Sequence, residues 1–116
     1  MTKAKKILSV ALHPGLAETR SLLIRSVGLE VKTVFNLQEM QEACQRDKYD
    51  LLLVTQGISE KEKRRIILEF RKLTDKTPIL EIYDISPDLP DAEFRFHSLE
   101  GPEAFTIHLK TILAAG

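Results

Sequence analysis

Residues 49–57 read YDLLLVTQG and are the stretch that decides the fold. The apolar run Leu51–Val54 has the length of a short strand, and its lack of alternation is typical of a strand buried on both faces of a parallel sheet. Thr55 follows this run, and Gly57 separates it from the start of a helix. Open α/β sheets place their ligands at the carboxyl ends of such strands. The sequence therefore puts an uncharged hydroxyl, that of Thr55, where a functional group is expected.

The remainder of the chain alternates between strand patterns and helix patterns. The predicted elements are, in order, a strand at Lys6–Leu12, a helix at Leu16–Val27, an edge strand at Glu30–Phe35, a helix capped by Asn36, the strand after Tyr49, a helix from Ser59 to Leu73, a strand at Thr77–Tyr83, a short strand around Phe94 and Phe96, and a helix from Gly101. This alternation predicts a three-layer, doubly wound α/β fold with a five-stranded parallel sheet in the order 2-1-3-4-5. We expect residues 1–116 to form one domain.

Residues 84–93 interrupt the alternation. They connect the last two strands, and Pro87 and Pro90 prevent a regular helix across them. A parallel crossover usually takes about a dozen residues or more. The fourth crossover helix is therefore expected to be absent or reduced to a turn. We expect its absence to uncover apolar residues near Ile82, Phe94 and Phe96.

Composition excludes several classes of protein. The 116 residues contain 17 basic and 17 acidic side chains, so no overall field favours nucleic acid or an anionic membrane. A single cysteine excludes an internal disulfide and a cysteine-based zinc framework. No stretch approaches the ~20 apolar residues that span a bilayer, and the start lacks the apolar core of a secretory signal. These features predict a cytoplasmic protein without a membrane segment, either a monomer or a weak homodimer.

Several short motifs, in this order and spacing, resemble those of response-regulator receiver domains from Lys5 to about Ile112. They are Lys6-Ile7-Leu8 with Pro14, Val27-Gly28-Leu29-Glu30-Val31, Tyr49-Asp50-Leu51-Leu52-Leu53, Thr77-Pro78-Ile79-Leu80 and Pro102-Glu103-Ala104-Phe105. The resemblance implies a flavodoxin-like fold and a role in bacterial two-component signalling.

The active residues of receivers do not carry over to this chain. Receivers bind magnesium through two acidic residues after the first strand, and an aspartate at the end of the third strand accepts a phosphoryl group. A hydroxyl residue and a lysine follow the fourth and fifth strands. The matching positions here are Ala11 and Leu12, Thr55, Tyr83, and His97 or Ser98. Magnesium seldom binds without carboxylates or substrate phosphates, and the threonine has no adjacent base. The resemblance is thus to a degenerate pseudo-receiver with no metal, no cofactor and no enzymatic activity.

Other residues admit a functional reading beside an ordinary one. His13 could bind a ligand or carry a phosphoryl group, but it has no second histidine or cysteine at metal spacing, so a solvent-facing turn residue is favoured. Asp84 lies at the same sheet edge and is interpreted as a turn residue. Cys44 falls on an apolar helix stripe and is expected to be buried rather than nucleophilic. His108, between Ile107 and Leu109, is expected to be exposed.

The predicted third helix is basic, and the segment after it is acidic. The basic residues could form a patch for nucleic acid or an acidic partner, although a solvated face with ion pairs along the helix is favoured. The acidic loop and the basic helix could also be neighbours or mark self-association. The basic residues are Lys61, Lys63, Arg64, Arg65, Arg71 and Lys72, and the acidic ones are Asp84, Asp88, Asp91, Glu93, Glu100 and Glu103.

Two functions fit these observations. The leading hypothesis is a phosphorylation-independent, receiver-like module that binds a protein partner in bacterial signalling; nucleic acid is not an expected partner. The alternative is a small-ligand sensor that uses the crevice at the carboxyl ends of the strands. That crevice would be lined by His13, Thr55, Gln56, Tyr83 and Asp84.

Overall fold

The computed structural model describes residues 4–12 and 14–114. His13 and its predicted roles lie outside the described residues. Within the described part, the strands are β1 (Lys6–Val10), β2 (Glu30–Val34), β3 (Leu51–Val54), β4 (Ile79–Tyr83) and β5 (Phe94–His97), and the α-helices are α1 (Pro14–Ser26), α2 (Leu37–Arg46), α3 (Glu60–Leu73) and α4 (Gly101–Ala114). A short 3-10 turn, Ser98–Glu100, leads into α4. Among these residues, no helix has both the length and the apolar character that crossing a bilayer requires.

The five strands form one parallel sheet in the order β2-β1-β3-β4-β5. This confirms the predicted doubly wound topology and the edge position of β2. The first strand ends at Val10 rather than Leu12, and α1 begins at Pro14 rather than Leu16. Proline suits the first helical position because its fixed φ is already helical and its missing N–H would have no partner there.

Each face of the sheet carries its own apolar core. Alternate side chains of the central strands point to opposite faces, so Leu52 and Val54 pack with α2 and α3. Leu51 and Leu53 pack with α1 and α4 on the other face. The three layers expected from the sequence are therefore present.

The helix boundaries follow from capping groups. The Asn36 side chain accepts a hydrogen bond from the N–H of Glu39 at 2.8 Å, and Glu39 Oε1 accepts one from the N–H of Phe35 at 2.9 Å. Ser59 Oγ similarly accepts from the N–H of Glu62 at 3.3 Å. Gly28 ends the first helical segment with φ of 85°, a conformation that favours glycine. The Asn36 interaction confirms the cap that the sequence predicted for the second helix.

Residues 84–93, all of them described and called the strap below, form bends and turns without a helix. Leu89 and Ala92 of the strap are buried in the α3-side core. Ile82 and Phe96 themselves are buried, and Phe94 is half-buried. Exposed apolar residues do lie near them in the sequence, at Ile85 and Leu99. Ile82 and Phe96 belong to the core on the opposite face of the sheet, and residues of α4 cover that core.

Candidate functional site

The strand register brings the predicted site positions to one edge of the sheet. Val10 pairs with Val54, and the N–H of Thr55 donates to the carbonyl of Val10 at 3.2 Å. At the other end of the row, Tyr83 pairs with His97. Ala11, Leu12, Thr55, Tyr83 and Ser98 therefore all lie at or just beyond the carboxyl ends of the strands.

Thr55 is buried, with 2% of its surface exposed. Its Oγ1 donates a hydrogen bond to the carbonyl oxygen of Val10 at 2.9 Å. A carbonyl does not remove the hydroxyl proton as a general base would, so this contact holds the side chain without activating it. The hydroxyl ties the ends of β1 and β3 together.

The positions after β1 offer no carboxylate oxygen. Ala11 is buried, and Leu12 presents an exposed apolar side chain. Magnesium requires hard oxygen ligands in near-octahedral geometry, and Ala11, Leu12 and Thr55 together supply only side-chain methyl groups and one buried hydroxyl. Among the described residues, no group of three His, Cys, Asp or Glu side chains is placed to hold a metal ion. The described residues at this edge therefore do not fit a magnesium site.

The other end of the edge is polar but already paired. The rings of Tyr83 and His97 meet edge to face, with centroids 5.0 Å apart. Ser98 Oγ donates a hydrogen bond to Asp84 Oδ1, and the N–H of Leu99 donates to His97 Nδ1 at 3.1 Å. The exposed Asp84 thus joins the strap to the loop after β5.

The described residues of the predicted ligand crevice lie at the carboxyl edge of the sheet. Thr55 and Gln56 are adjacent, and Gln56 Oε1 is buried without a hydrogen-bond partner among the described residues. A cleft of about 260 Å³ is present, but it opens between α1 and α4. Within the described part of the chain, its lining does not include Thr55, Gln56, Tyr83 or Asp84.

An ion pair that the sequence analysis missed lies beside β4. Lys63 Nζ donates to Glu81 Oε2 at 2.8 Å, and the two side chains are 3% and 0% exposed. Glu81 also accepts the N–H groups of Asp88 at 2.9 Å and Leu89 at 3.0 Å. The Asp88 carboxylate approaches Lys63 Nζ at 3.4 Å.

This cluster of Lys63, Glu81 and Asp88 fixes the strap against the sheet. A buried carboxylate is stable only when charge and hydrogen bonds replace its water, and the backbone of the strap provides part of that replacement. The signal for it was present in the sequence. Lys63 lies three, four and seven residues before Ile66, Ile67 and Phe70, so it shares their buried stripe.

The basic residues of α3 show both of the arrangements that the sequence allowed. Arg64 pairs with Glu60 at 3.4 Å along the helix, as a solvated face would. The acidic loop is nonetheless a neighbour of the basic helix, because Arg71 pairs with Glu93.

The sequence analysis also made expectations for the burial of Cys44 and His108. Cys44 is half-buried against the α3-side core, and burial raises the pKa of its thiol. The expectation of an exposed His108 is wrong. Its ring lies 5.6 Å from that of Phe96, and its Nε2 is buried without a hydrogen-bond partner in the described part of the chain.

No protein-family model and no curated protein sequence matches this chain significantly. Solved structures do match it. A CheY-like response-regulator receiver domain from Methanospirillum hungatei has a TM-score of 0.82 at 14% identity, covering 97% of this chain and 96% of that one. Chemotaxis protein CheY4 of Vibrio cholerae, crystallised at low pH, has a TM-score of 0.79 at 16% identity, covering 95% and 99%.

A third match comes from the complex of histidine kinase ThkA with the response regulator TrrA. Its TM-score is 0.77 at 20% identity, covering 94% of this chain and 98% of the matched chain. At this level of identity the likeness concerns the fold. The chain therefore has the fold of response-regulator receiver domains.

Proposed function

We propose that this protein is a receiver-like interaction module of a signalling pathway, and that it binds a protein partner without being phosphorylated. The receiver fold supports the first part of the proposal. The state of Thr55 carries the second part, because its hydroxyl is 2% exposed and is bound to the carbonyl of Val10.

The chemistry of phosphoryl transfer gives the reason. A phosphodonor needs an accessible nucleophile and positive charge, usually a metal ion, to offset the charge of the transferred group. Thr55 is not accessible, and among the described residues its hydroxyl contacts a backbone carbonyl rather than a base. The side chains of Ala11 and Leu12 have no oxygen to hold a metal. Asp84 is an exposed carboxylate, but it accepts a hydrogen bond from Ser98 and has no metal-binding carboxylates beside it in the described structure.

Exposed apolar side chains at the same edge support a protein partner. Ile85 is 93% exposed and Leu99 is 85% exposed. They are the sequence neighbours of Asp84 and Ser98, whose hydrogen bond holds the two loops together. Large apolar groups that are fully in water are a feature of interaction surfaces when they occur close together. We place the partner's contact on this Ile85–Leu99 surface.

Exposure to acetyl phosphate with magnesium, followed by intact mass spectrometry, tests phosphorylation independence. The mass of this protein should stay unchanged, while a receiver domain with its phospho-acceptor aspartate should gain a phosphoryl group under the same conditions. The Thr55→Val variant should behave like the parent protein. A magnesium-dependent adduct mapped to Thr55 or Asp84 would refute the proposal.

The partner surface is tested by affinity capture from a bacterial extract with and without phosphodonor. The Ile85→Ser/Leu99→Ser variant should lose the captured protein, and the phosphodonor should not alter capture by the parent. Leu22→Ser is the matched control, because Leu22 is an exposed leucine on α1. Equal capture by the double variant and the control would contradict the assignment of the surface.

A further inference from the structure

A cleft on the α1–α4 face has an almost wholly apolar wall. Its volume is about 260 Å³, close to the lower end of the range for small-molecule sites. Leucine, isoleucine, proline and phenylalanine side chains form most of its lining. They are Leu16, Leu23, Ile82, Phe96, Pro102 and Phe105.

Arg20 is the charged residue in this wall. Its guanidinium carbon lies 5.7 Å from the ring centroid of Phe105. Burial lowers the pKa of Arg20, and the negative charge of Asp84 acts in the opposite direction. Among the described residues the Arg20 guanidinium, which has five N–H donors, has no hydrogen-bond acceptor.

The other polar groups of the cleft are already engaged. Thr19 Oγ1 donates to the carbonyl of Gly15 at 3.3 Å, and Ser98 Oγ donates to Asp84. They compete little for a ligand. The cleft therefore presents one partly desolvated cation on an apolar surface.

From this geometry we propose that the cleft binds a small organic acid, in which one carboxylate meets Arg20 and an aliphatic or aryl body covers the apolar wall. A planar guanidinium binds a carboxylate through two parallel hydrogen bonds, which are stronger when they are shielded from water. The first turn of α4, which contributes Gly101 and Pro102 to the lining, also favours a negative group. The apolar walls disfavour a polyanion such as a nucleotide.

Asp84 provides a second prediction about the affinity of the cleft for a carboxylate. Its charge is felt by Arg20, so it competes with a ligand carboxylate for the same cation. Neutralising Asp84 should tighten binding, whereas neutralising Arg20 should weaken it. A purely hydrophobic cleft would respond to neither change.

The test is a titration of the 15N-labelled protein with octanoate, 1-octanol and octylamine, each kept below the concentration at which it forms micelles or a separate phase. Octanoate should give saturable shifts in amides of α1 and the first turn of α4, and the alcohol and the amine should bind about tenfold more weakly or not at all. Arg20→Gln should weaken octanoate about tenfold, and Asp84→Asn should tighten it about twofold.

Arg25→Gln is the matched control, since Arg25 is an exposed arginine on the same helix. Its affinity for octanoate should equal that of the parent. Leu16→Trp places a ring at the exposed mouth of the cleft and should block octanoate without altering the fold, as judged by circular dichroism. Equal binding of octanol and octanoate, equal affinities of the Arg20 and Arg25 variants, or the absence of any saturable shift would each overturn the proposal.

This site does not depend on the proposed function. A phosphoryl adduct on Thr55 would refute phosphorylation independence and leave the cleft untouched. A failed octanoate titration would refute the cleft and leave the interaction surface standing.

Discussion

Two regions of the protein differ in their charged groups: the ends of β1 and β3 at the carboxyl edge of the sheet, and the α3 side of β4. At the edge, Ala11, Leu12 and Thr55 supply methyl groups and one hydroxyl that is bonded to the backbone. Beside β4, Lys63 and Glu81 are fully buried, and they meet at 2.8 Å. In this protein the buried ionic groups hold the strap to the sheet, while the hydroxyl at the carboxyl edge joins the ends of β1 and β3.

Breaking the buried pair should have the largest effect. Lys63→Met leaves Glu81 as a buried carboxylate without its cationic partner, and removing one partner of a buried pair costs about 3–5 kcal/mol. Urea denaturation should therefore show a large loss in the free energy of unfolding. The matched control is Arg64→Met, the next residue on the same helix, whose exposed pair with Glu60 should contribute less than about 1 kcal/mol.

Equal losses in the two variants would mean that Lys63 is not buried against Glu81. A smaller loss in Lys63→Met than in Arg64→Met would have the same meaning. Either result would remove the contrast between the two regions.

The packing of the strap should have the next largest effect. Leu89→Ala removes a buried side chain from the α3-side core, and such truncations cost about 2–5 kcal/mol. Hydrogen exchange at residues 84–93 should accelerate with it. Ile85→Ala, a change of a 93% exposed residue in the same strap, should stay within about 0.5 kcal/mol of the parent. An unchanged free energy of unfolding in Leu89→Ala would show that the strap is not packed on the sheet.

The sequence predicted much of the fold because its signals are local. Asn36 and Ser59 cap helices through side chains three residues from their targets, and the apolar run Leu51–Val54 is typical of a central strand. Alternation and right-handed crossovers then favour a doubly wound sheet, of which 2-1-3-4-5 is one common order.

The charged cluster could not be predicted with the same ease, because it joins residues that are 18 positions apart in the sequence. Two signals pointed to it: Lys63 on an apolar stripe, and Glu81 within the strand ILEIY. His108 was misjudged in the same way, since it lies three residues after Phe105 and four before Ile112 on the buried face of α4. For these residues the position within a helix or strand was a better guide to burial than the polarity of the side chain.

Alkaline pH should produce a smaller loss of stability. Burial raises the pKa of the Cys44 thiol above 9.0, and burial, with smaller contributions from Asp47 and Cys44, raises the pKa of Tyr49 above 10.0. The folded protein then holds these protons more tightly than the unfolded chain does. Stability is therefore fully present below about pH 9 and falls as the pH rises through the folded-state pKa values.

The alkaline limb should flatten in Cys44→Ala/Tyr49→Phe. The free energy of unfolding, measured by urea denaturation between neutral and alkaline pH, gives the slope, and its value at pH 7 corrects for the packing lost in the variant. An unchanged slope would contradict the role of these two protons.

A magnesium titration of the 15N-labelled protein tests most directly whether the carboxyl edge can take part in phosphoryl transfer. The predicted result is no saturable shift at the amides of Ala11, Leu12, Thr55 and Asp84, either with magnesium alone or with magnesium and beryllofluoride. The amides at the matching positions of a receiver domain that keeps its acidic residues should shift under the same conditions. A saturable, magnesium-dependent shift centred on Thr55 or Asp84 would contradict the account.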